Sequence, residues 1–345
     1  MHYSGWAFIV DQWRTQPSVV KADLTGKTVI VLGANTGLGF EATKHFATMN
    51  PGRLILACRS QSKGEVALDK LKADTGYSKA ELWIIDLADF SSVKQFADKF
   101  ERDGGRLDVL VENAAIASMK YVPSKDNWET SLQVNNLSTP LLALLLLPAM
   151  IRTAEQYSTT PRIVVVSSSM HYWVKINKDV SENPDMLKTL GSAEYCTNKN
   201  MMDRYALTKL FNVLFVRALN DRLPSSIPVI ASAVDPGYCY SELRREFSGV
   251  MAVFDWLLER TLAFTAEVGS RRLIWTALSH QDQPEKLRGQ YSSNFHMTEV
   301  SDFVLSPEGV KAQNRSWDEL VDILGQVDPR VTANVQKYLS HDITV

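Results

Sequence analysis

The stretch Ile163-Val164-Val165-Val166 is apolar at every position, with no alternation between faces. A strand with one wet side alternates, so a continuous apolar run marks a strand buried on both sides, as in a parallel sheet covered by helices. Val229-Ile230-Ala231 repeats the signal. Strand-type runs at 27–32, 53–58, 81–85, 107–111, 162–167 and 228–234 are separated by helix-type segments. Regular alternation of strand and helix predicts an α/β fold, a doubly wound parallel sheet with helices on both faces. Ligands of such sheets sit beyond the carboxyl ends of the strands.

The first run is followed at once by Gly33-Ala34-Asn35-Thr36-Gly37-Leu38-Gly39, and then by a helix-type segment at 40–49. Strand, glycine turn and helix form the Rossmann-type layout, in which backbone N–H groups at a helix N-terminus hold a pyrophosphate. Gly33, Asn113 and Ser168 each close a strand, which puts them on one rim. Three tyrosines have a lysine four residues downstream: Tyr121/Lys125, Tyr195/Lys199 and Tyr205/Lys209. Pro123 breaks the first pair, and Cys196-Thr197-Asn198 gives the second no apolar stripe. Tyr205 instead opens an apolar-periodic run through Leu210, Val213, Leu214 and Leu219, so its lysine falls on the same helix face. A neighbouring ammonium favours the phenolate, and a phenol tuned toward neutrality is a general acid/base for a carbonyl or alcohol.

With these motifs in this order, the chain resembles the classical short-chain dehydrogenases/reductases, in particular the retinol-dehydrogenase-like branch and its fungal relatives, from about residue 23 to 324. The resemblance implies a catalytic set of Asn135, Ser168 (within the triplet Ser167-Ser168-Ser169), Tyr205 and Lys209. It implies cofactor contacts from Gly33, Asn35, Thr36, Gly37, Leu38 and Gly39 of the turn, and from Arg59 and Ser60 after the second strand. Asp86 and Leu87, Asn113 and Ala114, Tyr205 and Lys209, and Pro236 and Gly237 complete that set, and no metal is implied. The chain departs from the family pattern at Glu112, where a second asparagine is common, at Ala115 for glycine, and at Ser241 for threonine. The 37 residues between Ser168 and Tyr205 predict a loop over 171–203 beside the site.

An NAD-preferring enzyme would carry an acid at the end of the second strand, to bond the ribose 2′-hydroxyl. This chain has Arg59-Ser60 there, so NADP(H) is expected rather than NAD, the guanidinium facing the 2′-phosphate. The substrate expected is a small molecule, a bulky apolar alcohol or ketone. Phe247, Met251, Phe254, Trp256, Leu257, Leu258 and Phe264 lie in a segment, 238–264, that follows the breaker pair Pro236-Gly237 and reads as a lid, and the segment after Ser168 adds His171, Tyr172 and Trp173. A net charge of -2 gives no electrostatic case for nucleic acid. Sparse acid-flanked basic charge near 248–264 makes contact with a membrane surface the less favoured reading. Three cysteines without a Cys-x-x-Cys spacing, and no signal-like N-terminus, point to one cytoplasmic domain spanning 1–345. The greasy run 141–150 is half a membrane span and reads as a buried face; the resemblance would put it in a homodimer interface. The competing reading is a non-catalytic NADP(H)-binding sensor or scaffold, whose mark would be a missing catalytic residue.

Overall fold

The computed structural model describes residues 3–241, 243 and 249–339. Eight strands form one sheet in the order β3-β2-β1-β4-β5-β6-β7-β8. They are β1 (Thr28–Leu32), β2 (Arg53–Cys58), β3 (Ala80–Ile84), β4 (Val109–Glu112), β5 (Arg162–Val166), β6 (Ile230–Asp235), β7 (Tyr291–Ser293) and β8 (His296–Thr298). The first six are those the sequence predicts; all neighbours as far as β7 pair parallel, and β7 with β8 antiparallel. The closing hairpin is three polar-rich residues a side, too short to show a period.

The longer helices are α1 (Gly5–Trp13), α2 (Gly37–Ala47), α3 (Gln61–Thr75), α4 (Phe90–Arg102), α5 (Thr130–Tyr157), α6 (Arg204–Arg222), α7 (Gly249–Leu262), α8 (Ala266–Leu278), α9 (Pro307–Val327) and α10 (Pro329–Tyr338). Side chains of α2, α3 and α8 share one core with Val29, Val31, Val109 and Val111. Those of α4, α5 and α6 fill the other, against Ile30, Leu110, Ile163 and Val165. The parity of each strand therefore splits between two cores, which is why its sequence shows no alternation.

The greasy run belongs to α5, whose apolar window is long enough to cross a membrane but is 94% buried within the chain. This helix packs on the chain's own α10. Pro148, inside α5, has no N–H to give the carbonyl four residues back, and Leu144 O accepts instead from Asn334 Nδ2 of α10 at 3.0 Å. One expectation is corrected at 171–203, which is not a plain loop. It forms a 3-10 turn (Ser169–Trp173) and three short helices, Lys178–Ser181, Met186–Gly191 and Asn198–Met202. Ile176, Val180, Met186, Leu187 and Leu190 are buried, and Glu319 of α9 accepts from Leu187 N at 2.8 Å. Its apolar residues needed a partner helix distant in sequence, which no local pattern announces.

Candidate active site

The glycine turn joins β1 to α2, and two of its glycines answer different demands. Gly37 has φ +57, which side-chain-bearing residues rarely adopt, and open space where a Cβ would stand. At Gly39 a Cβ would lie 2.3 Å from Gly33 O and 2.6 Å from Asn113 Nδ2, so only glycine lets the helix approach. Asn113 Nδ2 donates to Leu32 O at 3.0 Å and ties the ends of β1 and β4 together. No side chain caps α2 at Thr36, and its first turn holds no acid. Its N–H groups, with the dipole behind them, suit a pyrophosphate. These residues fit a dinucleotide.

Arg59, past the end of β2, is exposed, and among the described residues no acid or carbonyl engages its guanidinium. Ser60 caps α3, accepting from Lys63 N at 3.4 Å, so its oxygen already has a structural task. Asp86 Oδ1 accepts from Ala88 N at 3.0 Å, and Leu87 O from Ser138 Oγ at 2.6 Å, which fixes this edge to α5.

On the opposite side of the rim, α6 carries Tyr205, half-buried, and Lys209, fully buried. Lys209 Nζ lies 5.4 Å from the Tyr205 ring centroid and donates to Val166 O at 2.7 Å. Burial lowers its pKa to about 7. Of the serine triplet, Ser167 Oγ is occupied with Lys209 O at 2.8 Å, while Ser168 is half-buried, its Oγ accepting from Met170 N at 3.2 Å. Asn135 is held on both amide atoms: Oδ1 accepts from Ile116 N at 3.0 Å, and Nδ2 donates to Ile116 O at 2.9 Å and Thr208 Oγ1 at 3.0 Å. Thr208 Oγ1 in turn donates to Tyr205 O at 2.7 Å. Asn136 Nδ2 donates to Thr208 O and Asn212 Oδ1, both at 2.8 Å. A π turn, Gln133–Ser138, is what sets two successive asparagines of α5 against α6.

The two helices are also joined at their starts. Arg204 Nε lies 3.4 Å from Glu129 Oε2, both side chains buried, and Glu129 accepts from Ser131 N and Leu132 N at 2.7 and 2.9 Å. Neither of the other two tyrosines shares a helix with its lysine. Lys125 pairs with Asp89 at 2.8 Å, and Tyr195 precedes the short helix that holds Lys199.

Around this set stand His171, Asp235 and Glu112, together with Tyr291 and Arg272, which no motif in the sequence marks. His171 Nδ1 lies 2.8 Å from Ser168 O; a carbonyl only accepts, so the proton sits on Nδ1. Burial pushes its pKa down to about 4. Its Nε2 and the Tyr291 hydroxyl are buried without a partner among the described residues, their rings 4.6 Å apart. Asp235 Oδ1 accepts from Ser169 N at 3.1 Å, and its other oxygen faces the buried Arg272 at 3.6 Å. Glu112, noted above as a departure, is fully buried with neither oxygen partnered among the described residues, and burial raises its pKa well above the usual carboxyl range. An acid ending the apolar run Val109-Leu110-Val111 was the available signal. A surface concavity of about 740 Å³, lined by Leu305, Lys311 and Arg315, contains none of these residues.

Pro236 and Gly237 end β6 at the rim. Gly237 has φ +79, and a Cβ there would stand 2.9 Å from the Arg272 guanidinium. The segment expected as a lid, 238–264, is closed at its base: Phe264 N donates to Tyr238 O at 2.9 Å and Tyr240 N to Phe264 O at 3.0 Å. Phe247 lies outside the described residues, as do the side chains of Met251 and Phe254. Trp256 and Leu257, expected to line a pocket, are 52% and 50% exposed, with Arg260 over the indole. Their helix turns this stripe toward solvent.

A sheet of this order with a glycine turn and a Ser/Tyr/Lys rim defines a dinucleotide-dependent oxidoreductase. A family model described as short chain dehydrogenase matches residues 27–173. The short chain dehydrogenase/reductase dmxR8 of Cryptosporiopsis sp. (strain 8999) is 36% identical over 313 residues, covering 90% of this chain and 94% of that protein. The short-chain dehydrogenase anuD of Penicillium roqueforti (strain FM164) is 36% identical over 336 residues, 95% of this chain and 85% of the relative. The chain belongs to the short-chain dehydrogenase/reductase family, close to fungal members. Among solved structures, a short chain dehydrogenase from Burkholderia cenocepacia J2315 in complex with NADP superposes with TM-score 0.58 at 17% identity, over 79% of this chain and 97% of that one. Salutaridine reductase from Papaver somniferum gives TM-score 0.56 at 21% identity, over 77% and 99%. These two show the shared fold.

Proposed function

We propose that this protein is a cytoplasmic NADP(H)-dependent alcohol dehydrogenase or ketoreductase that interconverts a bulky apolar alcohol and its ketone or aldehyde. Within the family we assign it to the retinol-dehydrogenase-like branch. The observation that carries the reading is the buried Lys209 beside the half-buried Tyr205, in one hydrogen-bonded chain with Asn135. The unengaged Arg59 supports a 2′-phosphate, as does the NADP held by the Burkholderia relative. Three buried thiols, none of them in a disulfide, suit a reducing compartment.

The dinucleotide, when bound, gives hydride to the carbonyl carbon or takes it from the alcohol. Tyr205 donates a proton to the carbonyl oxygen in reduction and removes it in oxidation. Ser168 Oγ hydrogen-bonds the same oxygen and stabilises its developing charge. Lys209 holds the ribose hydroxyls, and in its charged form lowers the phenol's pKa. Because burial brings the ammonium's pKa to about 7, that charge diminishes as pH rises through neutrality. Asn135 fixes the turn beneath Tyr205 and holds a water relaying protons to Lys209. The segment 238–264 acts as the substrate lid, hinged at Gly237.

Following NADPH oxidation against a panel of apolar ketones and aldehydes tests this directly. Tyr205→Phe should lower the rate by about 10²–10⁴-fold while NADPH affinity stays within a fewfold. A Tyr205→Phe protein that keeps its rate would overturn the site. Tight NADPH binding with no turnover of any carbonyl would replace the enzyme with a sensor or scaffold.

A further inference from the structure

We infer that the N-terminal strap, residues 3–17, is a working part of the substrate site, and that Gln12 is the positioning residue that pins the two ends of the lid segment beside it, at Tyr238 and Leu262. The inference rests on the oxidoreductase reading above for what the lid admits. The strap precedes the family-matched segment, which begins at residue 27. It nevertheless makes contacts on both sides of the site mouth. Gln12 is 5% exposed, and its amide is fully used. Nε2 donates to Tyr238 O and to Leu262 O, both at 2.9 Å, while Oε1 accepts from Tyr238 N at 3.1 Å. Tyr238 directly follows the hinge glycine, and Leu262 ends α7, so one side chain clamps the two ends of the lid. Trp13 Nε1 adds a bond to Thr261 O at 3.3 Å.

The other side of the strap meets the segment that follows Ser168. Tyr3 stacks on Tyr172 at 5.1 Å between centroids, and Trp173 Nε1 donates to Tyr3 O at 2.9 Å. Phe8 stands edge-on to both Trp173, at 5.9 Å, and Tyr238, at 6.2 Å. Phe8 thus bridges the post-serine turn and the lid base in a single contact. Further along, Gln16 Oε1 accepts from Arg272 NH2 at 3.1 Å, the arginine that faces Asp235. Both neighbours of the reacting atoms, the turn after Ser168 and the chain after Pro236-Gly237, are therefore spaced by a third segment. A side chain that were merely surface packing would have no reason to bury a primary amide with every donor and acceptor satisfied by lid backbone. Gln12 touches neither substrate nor cofactor; it sets how far the lid base stands from the serine turn, and so the width of the mouth.

The test compares the parent chain with Gln12→Ala and with Gln12→Glu, which keeps the shape and the acceptor but loses both donors. Three readouts are taken: NADPH affinity by fluorescence, chymotrypsin cleavage within 238–264, and steady-state reduction of 2-acetylnaphthalene and 2-butanone. We expect unchanged NADPH affinity, which also reports an intact fold, and cleavage about tenfold faster, the worth of one or two buried hydrogen bonds. KM for the naphthyl ketone should rise by a similar factor while kcat, and both constants for butanone, stay within about twofold. Cleavage at the parent rate overturns the inference whatever the turnover, and so does an equal fall in kcat for both ketones. Faster cleavage in a parent background that reduces neither ketone upholds the strap and counts against the oxidoreductase reading instead.

Discussion

The floor of the site and its rim are built on opposite principles. On the floor, Lys209, Asn135, Ser167 and Arg204 are buried, and each is held by at least one bond to an element distant in sequence. At the rim, Arg59 is exposed and unengaged, and the outer stripe of α7 shows Val253, Trp256 and Leu257 to solvent. Groups that must meet reacting atoms to within tenths of an ångström are over-determined by their surroundings. Groups that choose among ligands are left free to be completed by the ligand. The difference teaches where sequence change is tolerated: internal bonds are concentrated under Tyr205, and few depend on the rim.

The sharpest way to break the comparison is to cut the floor. Arg204→Met leaves Glu129 buried without its cation, and losing one partner of such a pair costs about 3–5 kcal/mol. Urea melts should show that loss in Arg204→Met, partly recovered when Glu129→Gln is added; an unaltered midpoint would mean the two helices are not fastened there.

His171 lies between the two regimes, behind Ser168, and makes the floor sensitive to acid. Its folded pKa, about 4, is below the ordinary 6.5, so between these values the unfolded chain binds a proton that the folded chain refuses. Stability therefore falls as pH drops from about 6.5 to about 4 and levels off below, by roughly 3 kcal/mol. His171→Asn, which still donates to Ser168 O but does not titrate, should flatten this part of the pH profile of Tm. A profile as steep as the parent's would move the acid sensitivity to other groups.

The smallest effect belongs to the rim. Arg59→Asp should change the NADPH-to-NADH affinity ratio by about ten- to a hundredfold, the value of one charge-assisted hydrogen bond of about 1.5–3 kcal/mol. It should leave the urea midpoint in place, since no bond within the protein is lost. If the midpoint moved as far as for Arg204→Met, rim and floor would not be separable.

Much of the floor was legible in sequence because its signals are local. Six strands, the glycine turn and the Tyr205/Lys209 pair each depend on spacing within a dozen residues, and the structure brings them to the carboxyl end of one sheet. What was not legible depends on distant partners. Nothing near Gln12 announces that Tyr238 and Leu262 lie over it, and nothing in Leu144 announces Asn334. The polar strands β7 and β8 are each only three residues long. The lid aromatics were read as pocket lining from composition, yet on a helix only phase decides which way Trp256 faces, and that phase is set by tertiary packing.

Phase matters again at the π turn of α5. A π turn holds one residue more than an α turn, so removing a single residue from 133–138 would let the helix run regularly. The parts before and after the cut would keep nearly the same relation to each other, because the wide turn covers with its extra residue about the rotation that a regular turn covers without it. The leucines that pack α5 on the sheet would keep their places, but Asn135 and Asn136 could no longer both face α6. The length of this stretch is therefore as much a part of the site as its composition, and a deletion there would be felt where no substitution reaches.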